Sequence, residues 1–260
     1  MVSFKATVRQ KQILDILQEK GQASIALLTE TLDVSGVTVR EDLKQLESRR
    51  QLVRTRGGAL ALPERRREMP VELTSQSMAD EKRKIGRLAA SMVQSGQTVI
   101  IDVGSTTTEM ARALPSDLVD VTVITNALNI ALLLEKHAGL SVVVTGGTLR
   151  PLQHSLVAPM GTVLLERLNA DIAFTGCNGV DTGCGVTNTN LAEAEIKRAM
   201  IESSAKTIVL ADHTKLGCVA SAFVCDIGEV DLLLTDDGAG KNTLADLRAS
   251  GLAIEVADGD

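Results

Sequence analysis

The chain has 260 residues, 44% of them hydrophobic and 23% charged, with a formal net charge of −6. That length suits two domains, and that balance suits a globular chain rather than a disordered one. With no Trp, no Tyr and three Phe, the chain lacks the aromatic platforms on which single-stranded nucleic acids stack.

The net charge conceals an asymmetry. Residues 1–67 hold 13 Lys and Arg against 8 Asp and Glu, a balance of +5, while the remainder holds 14 against 25, a balance of −11. Only the head suits a polyanion. Cys177, Cys184, Cys218 and Cys225 form no CxxC pair and read as buried, reduced thiols, so no metal site and no cofactor are expected. No apolar run reaches membrane-spanning length and the N-terminus lacks the apolar core of a signal peptide, so a cytoplasmic protein without a membrane partner is expected.

In chain order, Thr7 to Lys20 reads as a helix with Ile13, Leu14 and Leu17 inward. Ser24 and Ser35 then stand where an N-cap hydroxyl takes up a first-turn amide. Behind them, Ile25, Leu28 and Leu32, and then Val39, Leu43 and Leu46, recur at helical spacing. Two short amphipathic helices about a tight turn make a helix-turn-helix, and each needs the preceding helix to cover its stripe. The second helix presents Gly36, Val37, Thr38, Arg40, Glu41 and Lys44 outward, a polar face suited to a DNA major groove. Leu52 to Arg56 and Ala59 to Leu62 read as strands joined by Gly57-Gly58, a two-residue hairpin needing positive φ. A hairpin after a helix-turn-helix is a wing, and it carries Arg54 and Arg56 toward phosphates or a minor groove. Thr38 and Arg40 are expected on bases, and Ser35, Lys44, Arg54 and Arg56 on phosphates, with Val37 beside them. One such module touches few phosphates, so a homodimer or homotetramer is expected on double-stranded operator DNA.

The order Val34-Ser35, Thr38-Val39-Arg40, Asp42-Leu43, Leu46-Glu47 and Arg54-Thr55-Arg56-Gly57-Gly58-Ala59 resembles the N-terminal signature of DeoR/GlpR-type bacterial sugar-operon regulators. Two positions depart from it. Glu41 stands where the family usually has a base, and Arg56 where it often has His. A carboxylate at 41 repels the DNA backbone, which leaves open an acceptor role toward a cytosine amine.

Residues 1–62 are therefore expected to form a winged helix-turn-helix, 63–77 a linker, and 78–260 an effector domain. The linker reading rests on Pro63, Pro70 and the Arg65-Arg66-Arg67 run. Beyond it, Asp80 to Val93 reads as a helix, followed by short Val/Ile/Leu strands alternating with helices. Strands are expected at 98–102, 121–125, 141–145, 171–175, 206–211, 231–235 and 253–256. That alternation means an α/β fold with a mostly parallel sheet covered on both faces.

Ligands sit off the carboxyl ends of such strands. The first ends in Asp102-Val103-Gly104-Ser105-Thr106-Thr107 and runs into a helix, an anion cradle suited to phosphate, although a plain N-cap has the same composition. Thr125-Asn126, Thr145-Gly146-Gly147, Asp181 and Asn188 follow later strands, a polar lining rather than an apolar closure. Glu195 and Lys197 lie on the helix at 191–204, and Lys215 follows the strand at 206–211, positioned either as a ligand cation or as an exposed loop lysine.

The resemblance extends over about residues 7–257, through Ile101 to Thr108, Thr145-Gly146-Gly147, Gly185 to Asn188 and Asp212…Lys215. It implies an effector domain similar to sugar-phosphate isomerases and glucosamine-phosphate deaminases. It also implies a repressor of a carbohydrate catabolic operon that a phosphorylated sugar releases. The competing reading is an isomerase-like enzyme with an appended DNA-binding module. It is disfavoured because no Lys-Gly-Gly run accompanies the acidic residues, and His154 and His213 lack the Asp-His context of the deaminases. No enzyme activity is expected. Gly240-Lys241-Asn242 lacks the flanking residues of a P-loop, and no GxGxxG follows a strand.

Overall fold

A computed structural model describes residues 4–48, 51–55, 57–61 and 70–257. They fall into two compact units, Met1–Met69 and Pro70–Asp260.

The first unit runs α1 (Phe4–Lys20), β1 (Gln22–Ser24), α2 (Ile25–Leu32), α3 (Gly36–Ser48), β2 (Leu52–Thr55) and β3 (Gly58–Ala61). Its helices begin where the hydroxyls predict. Ser24 Oγ accepts from the Leu27 amide at 3.1 Å, and Ser35 Oγ from the Thr38 amide at 3.2 Å. Asp33, left-handed at φ 50°, ends α2, a conformation Asp tolerates better than most side chains. Ile13, Leu17, Leu28, Val39, Leu43 and Leu46 close the core.

A polar brace beside that core was not legible in the sequence. Asp42, buried, accepts from Arg9 Nε at 2.5 Å and from Gln10 Nε2 at 3.0 Å, and Gln10 also reaches Gln45 Oε1 at 2.8 Å. These bonds hold α1 against α3 and so set the attitude of the outward face of α3.

The wing differs from expectation in two ways. It is a three-stranded sheet, order β1-β3-β2, and Gly58 lies in a strand rather than in the turn. Thr55 of β2 pairs with Gly58 of β3. Gly58 is needed for close approach rather than for positive φ, because a Cβ there would lie 2.0 Å from the Ala23 carbonyl oxygen. Arg56, expected on the wing, lies outside the described residues, as do Leu62 and the Arg65–Arg67 run.

The second unit is built on a seven-stranded parallel sheet in the order β15-β14-β12-β9-β4-β5-β6. Its strands are β4 (Thr98–Ile101), β5 (Val121–Thr125), β6 (Leu140–Val144), β9 (Ile172–Gly176), β12 (Thr207–Leu210), β14 (Leu232–Asp236) and β15 (Ile254–Ala257), so all seven expected strands are present. Helices α5 (Ala79–Ala90), α6 (Ser105–Ala113), α7 (Leu128–Leu134), α8 (Met160–Leu165), α9 (Leu191–Glu202) and α10 (Lys241–Ala249) lie between them. Apolar clusters occupy both faces, one around Ile101 and Phe174, the others around Ile100 with Ile196 and around Val209 with Leu233. The chain winds outward from β4 through β5 to β6, then returns to the far side of β4 with β9. Strands β4 and β9 thus flank the point where winding reverses, where open α/β sheets hold ligands.

Three features correct the sequence reading. Residues 63–77 are not all linker, because Pro70 onward belongs to this unit. There α4 (Val71–Thr74) buries Val71, whose amide donates to Leu152 at 2.9 Å. Lys82, buried on α5, donates Nζ to the Thr74 and Ser77 carbonyls at 2.6 and 2.7 Å. Second, antiparallel strands join the parallel ones. A hairpin of β7 (Thr148–Arg150) and β8 (Ser155–Val157) stands apart from a three-stranded layer of β10 (Gly179–Asp181), β11 (Gly185–Asn188) and β13 (Ala222–Cys225). Third, of the four free thiols only Cys225 is fully buried, and Cys184 is exposed. Burial pushes the Cys177 and Cys225 thiols up to about 12.

Replacing Asp42 by Ala strips Arg9 and Gln10 of a buried acceptor, at an expected cost of about 2 kcal/mol to the first unit. Hydrogen exchange checks it. Amides of α1 and α3 should exchange faster while those of the parallel sheet do not change; unaltered exchange in α1 would show the brace to be dispensable.

Candidate functional site

The first candidate surface is the outward side of α3 with the adjoining wing. Val39, Leu43 and Leu46 face the core, so residues half a turn away face solvent. Val37 is 74% exposed, and Arg40, Glu41 and Lys44 are exposed beside it. Of the residues expected on DNA, Val37, Arg40 and Lys44 are thus exposed on α3, but the expected residues are not equally available. The Thr38 hydroxyl lies 2.9 Å from Ser35 Oγ inside the helix cap. Arg40 Nη1 bends back to the Gly36 carbonyl at 3.2 Å. Arg54 is engaged by Glu47, which accepts its amide at 3.1 Å and its guanidinium at 3.5 Å. Lys44 projects without such a tie among the described residues.

The second candidate site lies at the carboxyl ends of β4 and β9. Asp102, wholly buried, follows β4 directly. Its Oδ2 forms an ion pair with Lys197 of α9, itself 2% exposed, and accepts from the Gly176 amide at 3.1 Å. Lys197 Nζ also donates to the Gly176 carbonyl at 3.0 Å. Asp102 Oδ1 is buried with no partner among the described residues. Burial pushes the Asp102 carboxyl above its ordinary range, and the Lys197 ammonium opposes that shift.

Around this pair the expected residues divide. Gly104 precedes α6 and its carbonyl takes the Thr107 and Thr108 hydroxyls at 3.1 and 2.6 Å, so these serve the helix turn. Ser105 and Thr106 keep theirs, beside first-turn amides that no helix can satisfy internally. Asn126 accepts from the Val103 amide at 3.0 Å and donates to Leu156 at 3.3 Å, bracing the loop after β4. Thr125 Oγ1 accepts from the Ala127 amide at 3.1 Å. Thr145 and Gly146 pack on Gly161 at the start of α8, and Gly147 passes so close to Val157 that a Cβ would lie 2.1 Å from its carbonyl oxygen. Lys215, in a 3-10 turn after β12, makes no ion pair among the described residues, and its charge bears on the Cys177 thiol beside Gly176.

Three expected ligand residues do other work. Asp181 accepts from the Gly183 and Cys184 amides at 2.9 and 3.0 Å, closing the β10–β11 turn. Asn188 donates to Glu193 at 3.2 Å. Glu195 is exposed on the opposite side of α9 from Lys197, in a groove that α9 forms with α8. The sequence reading placed Glu193 beside Glu195 and Lys197 on this helix but missed its partners: the buried carboxylate holds Arg150 and accepts from Ser155 at 2.7 Å, tying the β7–β8 hairpin to α9. It also missed the acid partner of His213, whose Nδ1 lies 2.6 Å from Asp236 Oδ2. That Asp is on another strand, while the adjacent Asp212 accepts from the Thr214 amide at 3.1 Å and caps the turn.

Among the described residues no helix is long and apolar enough to cross a membrane. Comparison with known proteins bears on both candidate sites. A family model described as a DeoR-like helix-turn-helix domain matches residues 9–65, and one described as the DeoR C-terminal sensor domain matches residues 77–237. The HTH-type transcriptional regulator GolR of Listeria innocua is 31% identical over 96% of this chain and 98% of its own length. The glycerol-3-phosphate regulon repressor of Escherichia coli is 29% identical over 90% of this chain and 92% of its own. Among solved structures, ribose 5-phosphate isomerase A from Methanocaldococcus jannaschii aligns with a TM-score of 0.40 at 19% identity, over 54% of this chain and 55% of that one. Matched along both its units and along nearly the whole length of GolR, the chain belongs to the DeoR family of HTH-type transcriptional regulators.

Proposed function

We propose that the protein is a DNA-binding repressor of a carbohydrate catabolic operon whose hold on its operator is released by a phosphorylated sugar or sugar derivative. The observation that carries the sensing half is Asp102: a fully buried carboxylate, half paired with Lys197, with one oxygen unsatisfied at the winding reversal of the sheet. An orphaned buried acceptor costs about 1–3 kcal/mol, and a ligand hydroxyl offsets that cost. The N-terminus of α6 supplies the matching anion site, with the Ser105 and Thr106 hydroxyls, and Lys215 supplies a cation. A phosphate joined to a hydroxylated carbon chain presents both chemistries within one small molecule. The name of one relative, the glycerol-3-phosphate regulon repressor, agrees with a ligand of that kind.

The operator-binding half rests on the cationic head and the outward face of α3, with residues 1–62 as the DNA-binding domain and the chain from Pro70 as the sensor. One head offers few cations, so a homodimer or homotetramer places two or more heads on the duplex. Release requires that the ligand favour the arrangement unable to bind DNA, because a ligand with equal affinity for both arrangements shifts nothing.

In a thermal-shift panel of phosphorylated sugars, at least one compound should raise the melting temperature. Thr106→Val and Lys215→Ala should each weaken that response, the lysine change by about 1.5–3 kcal/mol of binding, while duplex affinity stays at the wild-type value. A panel without any shift, or two variants that respond fully, would refute the ligand site. On the DNA side, Lys44→Ala should weaken binding about equally across duplex sequences and lower the salt slope of log K by about 1; a slope that stays the same would remove Lys44 from the phosphate contacts.

A further inference from the structure

We propose that Glu41 reads a cytosine in the operator, with Val37 on a thymine methyl beside it, so that base recognition falls to this pair rather than to Thr38 and Arg40. The proposal rests on the DNA-binding reading of the head and goes beyond it to name what the helix reads.

Val37, Glu41 and Lys44, spaced i, i+4 and i+7, form one stripe on a helix of 3.6 residues per turn. That stripe stands opposite the buried Val39, Leu43 and Leu46 and so projects farthest from the head. The two side chains expected on bases are displaced from it. Thr38 is half-buried with its hydroxyl in the Ser35 cap, and the Arg40 guanidinium leans back on the Gly36 carbonyl. Glu41 is exposed, and among the described residues its one side-chain partner is Gln45 Nε2 at 3.3 Å, on Oε1.

Chemistry then selects the base. A carboxylate only accepts hydrogen bonds, and the major groove offers donors only at cytosine N4 and adenine N6. Adenine N6 lies between two acceptors, its own N7 and the thymine O4, which repel a carboxylate, whereas cytosine N4 has the guanine O6 on one side only and C5–H on the other. Val37 has no polar atom and suits the thymine methyl. Four residues rise about 6 Å along the helix and base steps are about 3.4 Å apart, so the two bases lie within about two steps. Lys44, one turn beyond on the same stripe, offsets the repulsion between Glu41 and the phosphates.

The test is selection of full-length protein on duplexes with a randomised core, followed by sequencing. Wild-type protein should enrich one cytosine per half-site with a thymine within two steps, and changing that C·G pair to T·A should weaken binding about 5- to 150-fold. Glu41→Ala should bind both duplexes alike, Glu41→Gln should shift the choice toward adenine, and Val37→Ala should lose the thymine alone. Both positions are on the surface of the helix, so the variants fold. If Glu41→Ala selects the same bases as wild type, or tightens on every duplex equally, the carboxylate is a repulsive bystander and the proposal fails. Failure of wild-type protein to enrich any duplex would overturn the DNA-binding reading itself, a separate result.

Discussion

The second unit is organised around a buried ion pair at the point where the winding of its parallel sheet reverses. Two charges removed from water are costly unless each is matched, and mutual attraction repays that cost only with good geometry and further hydrogen bonds. Lys197 is matched by the Asp102 carboxylate and the Gly176 carbonyl; Asp102 by Lys197 and the Gly176 amide, but on one oxygen only. The arrangement ties the ends of β4 and β9 to α9. It leaves Asp102 Oδ1 buried without a partner among the described residues, which is the form expected of a site completed by the proposed ligand.

From that pair outward, α9 works as a hub. Glu193, one turn before Lys197, grips Arg150 and Ser155 of the β7–β8 hairpin and Asn188 at the end of β11. The hairpin reaches the Pro70 segment through the bond from Val71 to Leu152. A ligand that moves Asp102 or Lys197 thus acts on a contiguous set of polar contacts running toward the start of the unit. Such a set offers two-state behaviour only if it has a second arrangement that the ligand favours.

Much of this was legible in the sequence, for physical reasons that also explain the misses. Seven short Val/Ile/Leu runs alternating with helical segments leave little choice but a parallel sheet, and Ser24 and Ser35 mark helix starts that the structure retains. Gly58 was misassigned because a glycine needed for close approach resembles one needed for a turn, and β1, the strand it passes, is only three residues long. Asp42 sits at the edge of an apolar stripe, and that is the one clue to a buried partner; neither Arg9 nor Gln10 announces itself across more than thirty residues. Asp181 and Glu195 were misjudged because strand-end and helix positions were known but directions were not. A carboxylate beside a glycine turn serves the turn, and a helix residue two places from Lys197 faces away from it.

The account divides labour between a cationic head and an anionic sensor linked by one equilibrium. The measurement that tests it most directly is the affinity of the full-length protein for a duplex operator, at one fixed salt concentration, with and without a phosphorylated sugar that the protein binds. Coupling between two sites typically changes affinity about 5- to 150-fold, and a loss of that size on adding the sugar is the predicted result. An affinity that stays constant or rises while the sugar is bound would contradict it.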